Sequence, residues 1–158
     1  MEDKLISRRT IARGLAWIET LESAIADLRD EAATGRIMKA AGRPCAQQIL
    51  EECSLALGRR PETIDELLDA TNQRRVEHLG IDSQWVRNGS SARLRLDRCN
   101  CSLVRAGLAR PSPTHCLCTI GMFEALFSSV CRGTVAVTVI KAVGFGDSSC
   151  DFVVEFQE

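Results

Sequence analysis

The hydrophobic period of this chain changes once, near residue 82, and that switch limits the folds open to it. Before it, Ile11, Leu15, Ile18, Leu21, Ile25 and Leu28 recur at spacings of three and four, with Arg13, Glu19, Glu22, Asp27 and Arg29 between them. That is the pattern of an amphipathic helix of about five turns. Gly35 and the run AGRP (residues 41–44) interrupt it, so a second helix is expected to begin near Pro44 and to carry Cys45, Ile49, Cys53 and Leu57 on one side. A third is expected from PETIDELL onward, with Ile64, Leu67, Leu68 and Val76 facing inward, His78 as a solvated residue near its end and Gly80 as its stop.

Beyond the switch, SQWVRNGSSARLRLD reads as strand, Asn88-Gly89 turn and strand, with Arg93 to Asp97 strictly alternating. IGMFEALFSSVC reads as a short helix burying Met122, Leu126, Phe127 and Val130, and Thr134 to Val143 and Cys150 to Phe156 read as strands joined by the turn at Gly144 to Asp147. The expected fold class is α+β: N-terminal helices packed on a C-terminal antiparallel sheet in a single domain. Within it, residues 1–36 are expected to form an N-terminal amphipathic helix and 37–158 the α+β domain proper. A chain of 158 residues, 45% hydrophobic, has enough apolar material for one core and too little for two substantial ones. A net charge of -1 leaves no basic footprint for nucleic acid, and no apolar run approaches the roughly 18 residues of a membrane span. A cytoplasmic protein is expected, and in a reducing compartment its eight cysteines are thiols, metal ligands or catalytic groups before they are disulfides.

Four of those cysteines form two Cys-x-Cys pairs, Cys99/Cys101 and Cys116/Cys118, with a proline-containing stretch between them that Pro111 and Pro113 are expected to keep irregular. Thiolates are soft ligands, and zinc gathers four donors from separate segments, so two short pairs flanking a loop suit a metal. One cysteine of each pair is expected to face a metal while the other enters the core, with help from Cys150, Cys45 or His115. An iron–sulfur cluster fits less well, since none of the spacings matches the ferredoxin patterns. Inert packing competes with every one of these readings, most of all for Cys53 and Cys131 in apolar helical contexts. Cys45, expected at a helix start where the dipole lowers a thiol pKa, is a candidate ligand or nucleophile, and His115 beside Cys116 is a candidate base or ligand. No nucleophile elbow appears, and GFGDSS does not precede a helix as a phosphate loop does.

The segment from His115 to Phe156 resembles the end of the 4-vinyl reductase domain, through Cys116 or Cys118, Gly121, Gly133, Gly146-Asp147 and Cys150. The resemblance implies an α+β, often dimeric module that binds small hydrophobic molecules, with a structural zinc in several sensor members. The glutamate and cysteine that zinc-holding members draw from their penultimate strand have no counterpart in TVAVTVIKAVG, which leaves Cys99, Cys101 or Cys45 to complete such a site. AGRPCAQQ, RCNC and HCLC together resemble a group of small prokaryotic Cys-rich proteins related to that domain, over about Ile37 to Phe156. The closing Gly-Asp and Cys-x-Phe pattern is also similar to the 2-aminothiazoline-4-carboxylate hydrolase family.

The expectation is therefore a homodimeric domain holding a small hydrophobic ligand near Trp85, Met122, Phe123, Leu126, Phe127 and His115, in a sensor or accessory role. A zinc on Cys99, Cys101, Cys116, Cys118, Cys150 and Cys45, or a subset of them, would be structural, because a closed set of thiolates leaves no position for water. The competing expectation is a hydrolase or other thiol-dependent enzyme using Cys45 or Cys116 with His115 as base. A third is an accessory subunit whose N-terminal helix docks on a partner through an exposed apolar stripe.

Overall fold

The computed structural model describes residues 8–77, 80 and 83–157; His78 lies outside them. Helices α1 (Arg8–Ala26), α2 (Glu31–Leu57) and α3 (Ile64–Glu77) come first. Strands β1 (Trp85–Asn88) and β2 (Ser91–Leu96), the short α4 (Ser102–Arg105), helix α5 (Pro113–Ser128), β3 (Val135–Lys141) and β4 (Cys150–Phe156) follow. The strands form one antiparallel sheet in the order β1-β2-β4-β3, so the fold is α+β, as the change of period requires.

Two helix limits depart from the sequence reading. α2 begins at Glu31, not near Pro44, because Asp30 caps it: its side chain accepts a hydrogen bond from the Ala33 N–H at 2.8 Å. The helix then runs through Pro44 to Gly58, whose φ of 71° ends it. The expected boundary after residue 36 thus falls inside α2, and Cys45 stands in mid-helix, away from the terminal amides that would have lowered its pKa. Gly42 is not a break either. A Cβ there would lie 2.0 Å from the Cys118 carbonyl oxygen, and one on Gly121 would lie 2.0 Å from that of Lys39. These two glycines let α2 and α5 cross backbone against backbone, beside an ion pair of Lys39 with Glu124 at 2.6 Å.

The second departure is the start of α5. Ser112 accepts from the His115 N–H at 3.0 Å and Pro113 occupies the first turn, where a missing amide costs nothing. The prolines therefore open a helix, and His115, Cys116 and Cys118 stand on it instead of in a loop.

The core lies between α5 and the inner face of the sheet, where Leu94 pairs with Phe152 and Ala92 with Val154. Trp85 meets Phe123 and Phe127 edge-on at 4.9 and 5.1 Å between ring centres, and Phe123 meets Phe152 at 5.3 Å. α3 is fastened to the sheet edge by Asn72, whose side chain accepts from the Trp85 N–H at 2.7 Å and donates to its carbonyl at 3.0 Å. Val76, expected to face inward, is exposed on the far side of that helix. On the outer sheet face the Asp151 carboxylate takes two hydrogen bonds from Arg93, at 2.8 and 2.5 Å, and an ion pair from Arg95 at 3.3 Å. Arg93 thereby holds this carboxyl below the usual aspartate range.

Candidate functional site: a thiol-lined cavity

Beyond the aromatic core, between the first turns of α5, the middle of α2 and the end of β2, the packing opens into a cavity of about 500 Å³. Its apolar wall is built by Ile49, Trp85, Leu94, Leu96, Met122 and Phe123. The same cavity is lined by Cys45, Cys99, Cys101, Cys116, Cys118 and Cys150, six thiols brought from α2, the β2–α4 connection, α5 and β4. None of these six is in a disulfide.

Arg74 and Arg75 of α3 also line the cavity. Arg74 is paired with Glu52. Arg75 donates from Nε to the Ser83 carbonyl at 2.8 Å, while its Nη2 is buried with no partner among the described residues. Burial first, and then the like charge of Arg74, lower the Arg75 pKa to about 10.

The thiols are not equivalent. Burial pushes Cys45 and Cys99 up, Cys116 up to about 11 and Cys118 up to about 12, so these four are neutral at neutral pH. Cys101 goes the other way. Burial alone would raise it, but the hydrogen bond to His115, the nearby amides of Val104 and Leu103 and the His115 charge outweigh that and lower it. Cys101 Sγ lies 3.3 Å from His115 Nε2, and His115 Nδ1 lies 2.5 Å from Glu22 Oε1. The other Glu22 oxygen accepts from Ser112 Oγ at 3.3 Å. The bond to Cys101, against the opposing effect of burial, and then the bond to Glu22 raise His115 to about 9. The three side chains stand in line as thiol, imidazole and carboxyl, the ordering found where a base is oriented by a third group.

Of the residues expected to touch a ligand, Trp85, Met122, Phe123, Leu126 and His115 line the cavity, whereas Phe127 is sealed in the core. All six cysteines named for a metal line it too. Among the described residues no group of three His, Cys, Asp or Glu side chains is gathered that could hold a metal ion. The thiol expected to pair with His115 was Cys45 or Cys116, and the one that does so is Cys101. Adjacent helical residues project about 100° apart, so Cys116 turns away from the His115 ring. Its sulfur instead packs on Gly144, where an added Cβ would lie 2.4 Å from it. Cys53, fully buried, and Cys131 lie off the cavity, as packing residues do.

Glu22, Arg74 and Arg75 were not anticipated. Glu22 reads as one polar residue among several on α1, and nothing local ties it to a histidine 93 residues away. α1 does pack on the body, with Glu19 pairing to Arg110 at 3.0 Å, yet Leu21 and Leu28 of the expected apolar stripe are exposed, as is Trp17. Among the described residues no helix is long and apolar enough to cross a membrane.

No protein-family model and no curated protein matches the chain. Solved structures do. The phenol-responsive sensory domain of the transcription activator PoxR, crystallised with phenol, is 17% identical, with 98% of this chain and 78% of that one covered at a TM-score of 0.48. Trafficking protein particle complex subunit 3 from Naegleria fowleri, covalently bound to palmitic acid, is 12% identical, with 94% of this chain and 95% of that one covered at a TM-score of 0.56. The end-to-end match with the trafficking subunit establishes a shared fold, helices first and sheet second.

Proposed function

We propose that the protein is a binding domain for a small hydrophobic molecule, in a sensor or accessory role. The observation that carries this is the 500 Å³ cavity inside an otherwise filled core, a volume in the ordinary range for small-ligand sites. The fold shared with a subunit crystallised with covalently bound palmitic acid supports it. A carboxylate at one end of the ligand suits the site, because the Arg75 side chain lines the cavity and carries no paired carboxylate among the described residues. The homodimer and cytoplasmic setting expected from the sequence complete the reading, and the first is checked by mass in solution.

Trp85 is 5% exposed at the cavity and Trp17 is 67% exposed on α1, so Trp17→Phe leaves a single reporter at the site. Titrating this variant with decanoate should give a saturable change in Trp85 emission, and decanol a weaker one. No change with either compound would sink the proposal. The rival reading, a thiol-dependent enzyme, is favoured by the contact of Cys101 with His115.

A further inference from the structure

We propose that Cys101, His115 and Glu22 form a nucleophilic triad that hydrolyses thioesters of small apolar acids, the acyl chain lying in the cavity; the inference rests on the binding function proposed above. Both members that would meet substrate line the cavity: Cys101 at the start of α4 and His115 in the first turn of α5. His115 is buried and doubly held, Nε2 on the Cys101 sulfur at 3.3 Å and Nδ1 on Glu22 at 2.5 Å. Ser112 locks the assembly, since its hydroxyl accepts from the His115 backbone N–H at 3.0 Å and donates to Glu22 at 3.3 Å. A structural histidine needs one partner. This one has a nucleophile on the cavity side and a carboxylate behind it.

The surroundings select the substrate. The apolar part of the lining suits an alkyl or aryl chain, and Cys116 and Cys118, whose thiols burial keeps neutral, are poor competitors. Asn100 and Ser102, on either side of Cys101, also line the cavity and supply polar groups next to the carbon under attack. Cys101 Sγ adds to the thioester carbonyl carbon. The tetrahedral intermediate collapses with cleavage of the bond to the leaving sulfur, which takes the proton from His115 Nε2 and departs as a free thiol. Neutral His115 then removes a proton from water, the hydroxide attacks the Cys101 acyl carbon, and the carbon–sulfur bond breaks. The acid is released with the Cys101 thiolate and His115 imidazolium restored. The sum is thioester plus water giving acid plus thiol. Cys101 and His115 are the catalytic residues, and Glu22 is a positioning residue that accepts the Nδ1 proton and so keeps Nε2 facing the sulfur.

The test uses the full chain and the decanoyl thioester of N-acetylcysteamine, following thiol release and, after rapid quenching, the mass of the protein and of its peptides. Decanoyl groups on Cys101, with release lowered at least about 100-fold in Cys101→Ser, are expected. Glu22→Gln should lower kcat by about 10-fold or more with KM unchanged, and Glu22→Asp should recover part of it, which loss of a merely structural contact would not do. Cys131→Ala, off the cavity, should leave release unaltered. Acylation of a different cysteine, or equal release from Cys101→Ser, overturns the triad. So does protection of Cys101 by added zinc, which would make it a ligand. Decanoate binding to Trp17→Phe without any release overturns the triad and spares the binding function. Absence of both overturns both.

Discussion

The two halves of α5 face the same sheet and do opposite things. From Phe123 to Phe127 the helix enters the core, with Phe127 sealed in it, Phe123 and Leu126 closing the floor of the cavity, and aromatic rings in contact along the sheet. From His115 to Thr119 the same helix borders a cavity lined by thiols, an imidazole and two guanidinium groups nearby. Interiors are normally close-packed, so a space of this size beside a well-filled one is not slack in the design of the whole core. Small side chains keep it open: cysteine and threonine stand on one half of α5 where phenylalanine and leucine stand on the other. The second half carries the aromatic contacts, and the chemistry proposed above belongs to the first.

The glycine crossing that supports both halves should be the most sensitive point. Gly121→Val drives two methyl groups into the Lys39 backbone, and neither helix can move without the other. The expected outcome is loss of at least about 3 kcal/mol, or no folded protein, read by chemical denaturation. Phe127→Ala empties the filled half and should cost about 3–5 kcal/mol, lowering Tm by roughly 2–4 °C for each. Thr119→Leu enters the hollow half and should change stability by less than about 1 kcal/mol while weakening decanoate binding to the Trp85 reporter. A large loss of stability there would mean that the cavity is not available space, and the contrast between the halves would fail.

The smallest effect expected is a pH dependence confined to the hollow half. His115 is raised to about 9 from an ordinary value near 6.5, so its stabilisation is complete below about pH 6.5 and is lost as pH rises through 9. Wild type should therefore lose stability over that window relative to His115→Gln, in denaturation at matched ionic strength. Asp151 on the outer sheet face has the opposite sign: lowered by Arg93, it adds stability above the ordinary aspartate value that is lost as pH falls below it.

Periodicity made the architecture legible, because apolar spacing of three and four, and then of two, survives any detail of packing. The strands matched within a residue or two, and the Asn88-Gly89 turn lies between β1 and β2 as read. Proline and glycine misled, for one physical reason. Pro44 and Gly42 are weak helix formers in isolation, but α2 is held along its length by α5, and tertiary contact overrides a local cost of this kind. Pro113 is the converse, a residue that obstructs a helix interior and favours a helix start. The thiol wall was legible as a set of six cysteines, whereas the choice of Cys101 over Cys116 was not. That choice depends on which way each side chain leaves its helix once Ser112 has fixed where α5 begins.

The carboxylate behind His115 is borrowed from α1, an element that otherwise rests on the body through the Glu19–Arg110 pair and the packing of Gly14 and Gly107 against Leu108 and Ile11. Such a helix opens locally at far less cost than the sheet melts. The fraction of molecules with an armed imidazole is then set by how firmly α1 is seated, a quantity separate from the stability of the rest of the chain. Anything that pulls on α1 through its exposed Trp17 and Leu21 acts as a throttle on the site below, without touching the cavity at all.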